Sequence, residues 1–376
     1  MEQPDLQHLL DKYKNGTCTA EESVLVENWY LQWKVQPQAV SEEELSNVKD
    51  ELWQAIAAEV KARKTVPLWR RVGIAAAIFL ATLSAGIWFY QSNLVDNAKT
   101  ISYASDVAPG SKGATLTLAS GKKIRLDTAN VGVLDIQSGL KISKSAEGKL
   151  IYQYAGNSDA AAEIHTLSTG KGESYQLVLP DSSVVWLNAA TSLSFSTGIR
   201  SESRRKVELR GEGYFEVAKD RSRPFIVKSA DQEIEVLGTH FNVNSYQEES
   251  GTKTTLMEGS VRVRQLANTG NQLVLKPNQQ ASMTPAGISV KYVDAADVID
   301  WKNDGFIFNG GNFGVAMRKI ARWYDVQIIY EAEDLQNLEI GGFISRNNQL
   351  SAVLRFIEST GQVHFKIEGR RVFVTN

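Results

Sequence analysis

The sequence predicts a multidomain chain. It has a small α-helical N-terminal domain (1–64), a single transmembrane helix (70–91), an all-β region in the form of a sandwich or solenoid (100–295), and a C-terminal α+β domain of repeated β-α-β units (301–376). Three observations predict it. Val72 to Tyr90 holds no charged residue, and its nineteen residues make a helix of about 28 Å, close to the roughly 30 Å hydrocarbon core of a bilayer. Before that stretch apolar residues recur at helical spacing. After residue 100 they alternate with polar ones at the period of a strand.

The flanks of the uncharged stretch predict its orientation. Lys61, Arg63, Lys64, Arg70 and Arg71 precede it, whereas Gln91, Ser92, Asn93 and Asp96 follow, which places residues 1–71 in the cytoplasm and 91–376 outside. A cleavable signal peptide is not expected, because about 70 polar residues come first. With 43 % hydrophobic and 22 % charged residues the chain has the composition of folded protein. The net charge of −2 conceals an acidic start: residues 1–64 carry 12 Asp or Glu against 7 Lys or Arg. That balance argues against direct nucleic-acid binding and fits a basic protein partner. Cys18 is the one cysteine, so the outer part holds no disulfide. The four histidines, His8, His165, His240 and His364, are scattered without ligand spacing, so neither a metal nor a cofactor is expected.

Leu6, Leu9, Leu10 and Tyr13 share a helical face that Asn15-Gly16 stops. Thr19 and Glu22 stand at capping-box spacing before a second helix with Val24, Leu25, Trp29 and Trp33 on one side. Ser41 and Glu44 repeat that signal before Leu45, Val48, Leu52, Ile56 and Val60. Three short helices in about 60 residues make a small core, of the kind that either completes itself by wrapping a partner or stands as a self-sufficient bundle.

The outer region opens with strand patterns at Thr115–Leu118 and Lys123–Leu126 around Ser120-Gly121. The layout recurs as Gln176–Leu179, a Pro180-Asp181-Ser182-Ser183 turn and Val184–Leu187, and is echoed by Gln272–Leu275 before Lys276-Pro277-Asn278. Short strands fill the interval between the second and third copies, and no helix is expected before residue 295. Beyond Trp301 come a strand at Phe306–Phe308, a helix capped by Asn312, a strand at Val326–Tyr330, a strand at Leu338–Ile344, a helix around Leu350–Ile357, and a final pair, Val363–Ile367 with Arg371–Thr375. The last strand is expected to be a free edge.

Four segments carry a resemblance: Leu209–Val217 (LRGEGYFEV), Pro224–Val227 (PFIV), Val236–Val243 (VLGTHFNV) and Leu256–Val263 (LMEGSVRV). They resemble the hallmark run of the FecR family of transmembrane anti-sigma regulators. Residues 9–30 are similar to its cytoplasmic sigma-binding segment, and Ile320–Val326 (IARWYDV) to the STN-like domain that ends its longer members. The resemblance implies that the inner helices hold an extracytoplasmic-function sigma factor. The outer domains would read the signalling domain of an outer-membrane TonB-dependent transporter, in a single-pass inner-membrane protein with a periplasmic C-terminus. A single helix transmits rotation poorly, so release by an intramembrane or periplasmic protease is the expected relay. Candidate sigma contacts are Leu9, Leu10, Trp29 and Leu52. The resemblance also suggests self-cleavage between Gly238 and Thr239, in which the Thr hydroxyl attacks the preceding carbonyl and water hydrolyses the resulting ester. The alternative for that pair is a turn glycine followed by a strand threonine. No enzyme motif is present: GxSxG and phosphate-loop spacings are missing. A rival reading is a non-catalytic envelope binding or structural protein that recognises glycan, on which Trp186 and Tyr214 would stack, or another envelope component.

Overall fold

The computed structural model describes residues 6–19, 21–23, 26, 106–137, 139–154, 162–268 and 270–376. The chain divides into two compact units, Met1–Thr100 and Ile101–Asn376. In the first, the helix Leu6–Lys14 ends at Gly16, whose φ of +68° gives the left-handed residue that closes a helix. The capping box forms as its spacing predicts: Glu22 N–H donates to Thr19 Oγ1 at 3.3 Å and Thr19 N–H to Glu22 Oε2 at 3.0 Å. Residues 21–23 and Val26 are helical, at the start of the expected second helix; the rest of it, the third helix and the uncharged stretch 72–90 lie outside the described residues.

The second unit is built on two sheets that face each other across one apolar core. From edge to edge the larger runs Gly287–Tyr292, Gln279–Thr284, Thr252–Glu258, His240–Asn244, Glu212–Glu216, Val184–Leu187, Glu173–Val178, Leu150–Tyr154, Leu140–Lys144 and Gly132–Gln137. Ser111–Lys112 adds in parallel to Glu173–Val178. The other runs Gln272–Leu275, Val261–Gln265, Gln232–Val236, Phe225–Ser229, Arg205–Arg210, Ser192–Ser196, Ile164–Ser168, Thr115–Thr117 and Lys123–Arg125. Strict alternation drives this layering. In Arg205–Arg210, Val207 and Leu209 point into the core while Lys206, Glu208 and Arg210 point out. Arg205 is the exception, buried and paired at 2.9 Å with the equally buried Asp181.

The first two expected hairpins form, Thr115–Thr117 with Lys123–Arg125 and Glu173–Val178 with Val184–Leu187. The third echo is not a hairpin. Gln272–Leu275 and Gln279–Thr284 belong to different sheets, so Lys276-Pro277-Asn278 carries the chain across the core, with Asn278 at a φ of +64°.

The fold class expected from the sequence is corrected. The described chain is mostly β-sheet, and among the described residues no helix is long and apolar enough to cross a membrane. The C-terminal part is not a β-α-β repeat and does not form the expected STN-like domain. A β-α-β unit needs the two strands flanking its helix to lie parallel in one sheet. Here Gly305–Asn312 pairs antiparallel with Glu339–Ser345, while Gln327–Tyr330 joins Arg371–Thr375 and His364–Glu368 in a separate sheet. The helices Phe313–Tyr324 and Leu350–Glu358 each link one sheet to the other and share a second core around Met317, Ile320, Leu354 and Val372. Arg371–Thr375 is central in its sheet rather than a free edge, because Gln327–Tyr330 covers one side and His364–Glu368 the other.

Candidate functional site

The second unit concentrates buried charge where the helix Phe313–Tyr324 lies on the outer face of the larger sheet. Asn312 caps that helix, its Oδ1 accepting from Val315 N–H at 3.1 Å, so successive turns present Arg318, Lys319 and Arg322 to the sheet. Arg322 donates to Glu248 at 2.7 Å and to Glu249 at 3.3 Å, and its guanidinium lies 3.9 Å from the centre of the Tyr246 ring. Arg318 reaches Glu249 at 2.9 Å, and Lys319 reaches the buried Asp300 at 2.9 Å. Burial opposes the charge of Glu249, but Arg318 and then Arg322 hold its carboxyl below the ordinary range.

Glu212 sits deeper, with only neutral donors: Asn188 Nδ2 at 2.8 Å and Asn242 Nδ2 at 3.0 Å. Burial pushes its carboxyl above the usual carboxylate range. On the far side of the helix, Trp323 donates from Nε1 to the Arg346 carbonyl at 2.8 Å, and the Arg346 guanidinium stacks over its ring. Gly110 packs so closely beneath Trp323 that a Cβ there would meet the indole at 2.7 Å.

A further tie joins the start of this unit to its end. The Asp106 carboxylate accepts from Ser351 N–H at 3.0 Å and from Ser351 Oγ at 2.6 Å, and the Val107 carbonyl accepts from Leu350 N–H at 3.0 Å. Asp106 thus caps the helix Leu350–Glu358 from 245 residues away. Sequence reading missed this because a cap is sought next to its own helix.

The candidates from the sequence fall in separate places. Leu9 and Leu10 are half-buried on the first helix, whereas Trp29 and Leu52 lie outside the described residues. Gly238 has a φ of +145°, and a Cβ on it would meet the Lys219 Cα at 2.7 Å. Thr239 is buried, and its hydroxyl donates to the Ser260 carbonyl at 3.1 Å. His240 Nδ1 lies 3.5 Å from Glu258 Oε2. Trp186 and Tyr214 pack edge to face, and the Lys302 ammonium stands over both rings at 4.5 and 4.8 Å. The ammonium covers one face of each ring on which a sugar would stack. Among the described residues no group of three His, Cys, Asp or Glu is placed to hold a metal ion.

The β part and the small α+β part are joined both by ion pairs and by the second apolar core, to which Val107 and Ala189 of the β part contribute. Comparison with known proteins gives the family. Residues 165–262 match the model of the FecR protein family, and residues 305–374 match that of the FecR C-terminal family. Two crystal structures, at 1.65 and 2.50 Å, of a protein from Parabacteroides distasonis ATCC 8503 assigned as an anti-sigma factor are similar at 30 % identity and a TM-score of 0.52. They cover 56 and 57 % of this chain and 98 and 99 % of their own. Nothing among curated proteins matches. The chain belongs to the FecR family of anti-sigma factors, which is generally non-enzymatic and whose role implies a sigma factor as partner.

Proposed function

We propose that residues 1–60 bind an extracytoplasmic-function sigma factor, and that the unit 101–376 receives the signal that governs this binding from the signalling domain of an outer-membrane TonB-dependent transporter. The observation that carries the reading is family membership in a chain whose N-terminal residues form a helix, closed at Gly16, with Leu9 and Leu10 half-buried on it. Apolar anchors of this kind dominate helix-in-groove contacts. The asymmetry of Lys and Arg about residues 72–90 supports a cytoplasmic 1–71 and a periplasmic 91–376 across a bacterial inner membrane. Proteolysis between the two parts is the proposed means of release.

Residues 1–71, expressed alone, should capture a sigma factor and repress or activate its promoter. Alanine at Leu9, Leu10, Trp29 and Leu52, each checked for folding by circular dichroism, should weaken capture at one or more positions. Four folded variants that all bind normally would refute these contacts.

A further inference from the structure

Residues 106–110 stand at the start of the β part, yet the C-terminal part is what holds them. The Val107 carbonyl and the Asp106 carboxylate take the first N–H groups of the helix Leu350–Glu358, from Leu350 at 3.0 Å and from Ser351 at 3.0 Å. The Val107 side chain is buried in the second core, which also holds Leu350 and Leu354. Gly110 is shut between the Gly172 carbonyl and the Trp323 indole, which a Cβ would meet at 2.5 and 2.7 Å. At Ser111, whose N–H donates to that carbonyl at 2.8 Å, the chain joins the larger sheet.

The face on which the C-terminal part docks is incompletely answered. Asn242 Oδ1 and Asn244 Oδ1 on the sheet side, and Trp301 Nε1 with Nε and Nη2 of Arg346 on the other, are closed off from solvent and find no hydrogen-bond partner among the described residues. Docking takes water from each of these atoms and replaces it with nothing, so separation restores what they lack. The neighbouring ion pairs of Glu249 with Arg318 and Arg322 are exchanged for water in the same step. The sandwich core beneath is continuous and apolar, and separation at this face leaves it intact.

We propose that residues 305–376 form a clamp on residues 106–110, and that the clamp opens as one unit without unfolding the β part. The helix Phe313–Tyr324 leaves the sheet and the helix Leu350–Glu358 leaves Asp106 in a single event, because the two helices share the second core. A molecule that binds the open form loosens 106–110, and one that binds the docked form tightens it. Binding to the C-terminal part thereby changes the hold on the chain that continues back toward residue 100. The clamp is read from the unit 101–376 alone and does not depend on the sigma or transporter reading.

Amide hydrogen exchange of the purified full-length protein, followed by mass spectrometry, tests the clamp. In the wild type both helices should exchange about tenfold or more faster than the strand Arg205–Arg210 of the sandwich core. Glu249→Gln changes the sheet side only, and should speed exchange in both helices by the same factor while bringing proteinase K cleavage within 106–110. Asp106→Ala changes the opposite end, and should speed exchange in Phe313–Tyr324, which it does not touch. Quickening confined to Phe313–Tyr324 in Glu249→Gln, with Leu350–Glu358 and 106–110 unchanged, would overturn the proposal. So would wild-type helices that exchange no faster than the sandwich core. If Glu249→Gln does not fold, Asp106→Ala decides alone: unchanged exchange in Phe313–Tyr324 means that the two ends are not coupled.

Discussion

Glu212 is disfavoured from ionising, because burial outweighs its hydrogen bonds from Asn242 and Asn188 and the nearby charges of Lys319 and Arg322. Its folded pKa lies above the ordinary 4.5, so the folded state retains a proton that the unfolded chain gives up first. Stability from this group is therefore full below about pH 4.5 and declines as pH rises through the folded value. The difference in unfolding free energy between wild type and Glu212→Gln should move in favour of the variant over that interval, followed by urea denaturation at several pH values. A difference that does not vary with pH would show that Glu212 titrates normally. Gly238 gives a second prediction at this scale. Alanine there must adopt a φ of +145° and push against the Lys219 backbone, at a cost of roughly 1–3 kcal/mol in the same denaturation assay. The neighbouring bond tests the self-cleavage idea. The Ser260 carbonyl that receives the Thr239 hydroxyl is no general base, so the proton has to pass to water or to a reoriented His240. Under self-cleavage, purified wild type and Thr239→Ser yield two fragments parting after Gly238, while Thr239→Ala stays whole. A wild-type chain intact without added protease ends the idea.

The elements show how the C-terminal part is held. The helix Phe313–Tyr324 docks through Arg322, which combines a stack on Tyr246 with two carboxylates in a largely dry setting. Removing one partner of such a buried pair typically costs about 3–5 kcal/mol. Arg322→Ala should accordingly loosen the C-terminal part and open the connection near 293–304 to limited proteolysis. Arg322→Lys should rescue only in part, since an ammonium cannot stack and fork as a guanidinium does. The helix Leu350–Glu358 depends on a cap supplied by the start of the unit. Asp106→Ala should cost about 0.5–2 kcal/mol and speed amide exchange at Ser351 and Ala352. Normal protection there would mean that the cap contributes nothing in solution.

For the whole molecule, the proposed relay predicts that deleting 305–376 abolishes the response to inducer while the rest of the chain accumulates normally. An unchanged response would take the C-terminal part out of signal reception. The same deletion uncovers Glu248, Glu249 and the outer face of the larger sheet, so a truncated chain that aggregates must be separated from one that is merely unresponsive, by gel filtration. Alkaline phosphatase fused after Asn93 should be active and after Lys64 inactive. The reverse pattern would invert the proposed orientation.

Much of the local structure was legible because it depends on neighbours in sequence. Asn15-Gly16 ends its helix, Thr19 and Glu22 cap each other, Asn312 opens its helix, and alternation places Val207 and Leu209 in the core. The hallmark segments around Leu209–Val217 and Val236–Val243 were enough to point to the family, because they run into neighbouring strands of the larger sheet, Glu212–Glu216 and His240–Asn244, in which successive residues are buried on both faces and so nearly every position is constrained. Partner choice was not legible. The strand signal at 272–275 followed by Lys276-Pro277-Asn278 looks like the first arm of a hairpin whether or not the chain then changes sheet, and the C-terminal order of strands and helices suits two β-α-β units as well as the interleaved sheets that form. Period two says which face of a strand is apolar, not which strand lies beside it. The polar docking surface was hidden for a related reason: Glu212, Asn242, Tyr246 and Arg322 are ordinary surface types in sequence, and only the tertiary fold, by laying a helix over the outer face of a sheet, takes them out of water and makes their pairing decisive.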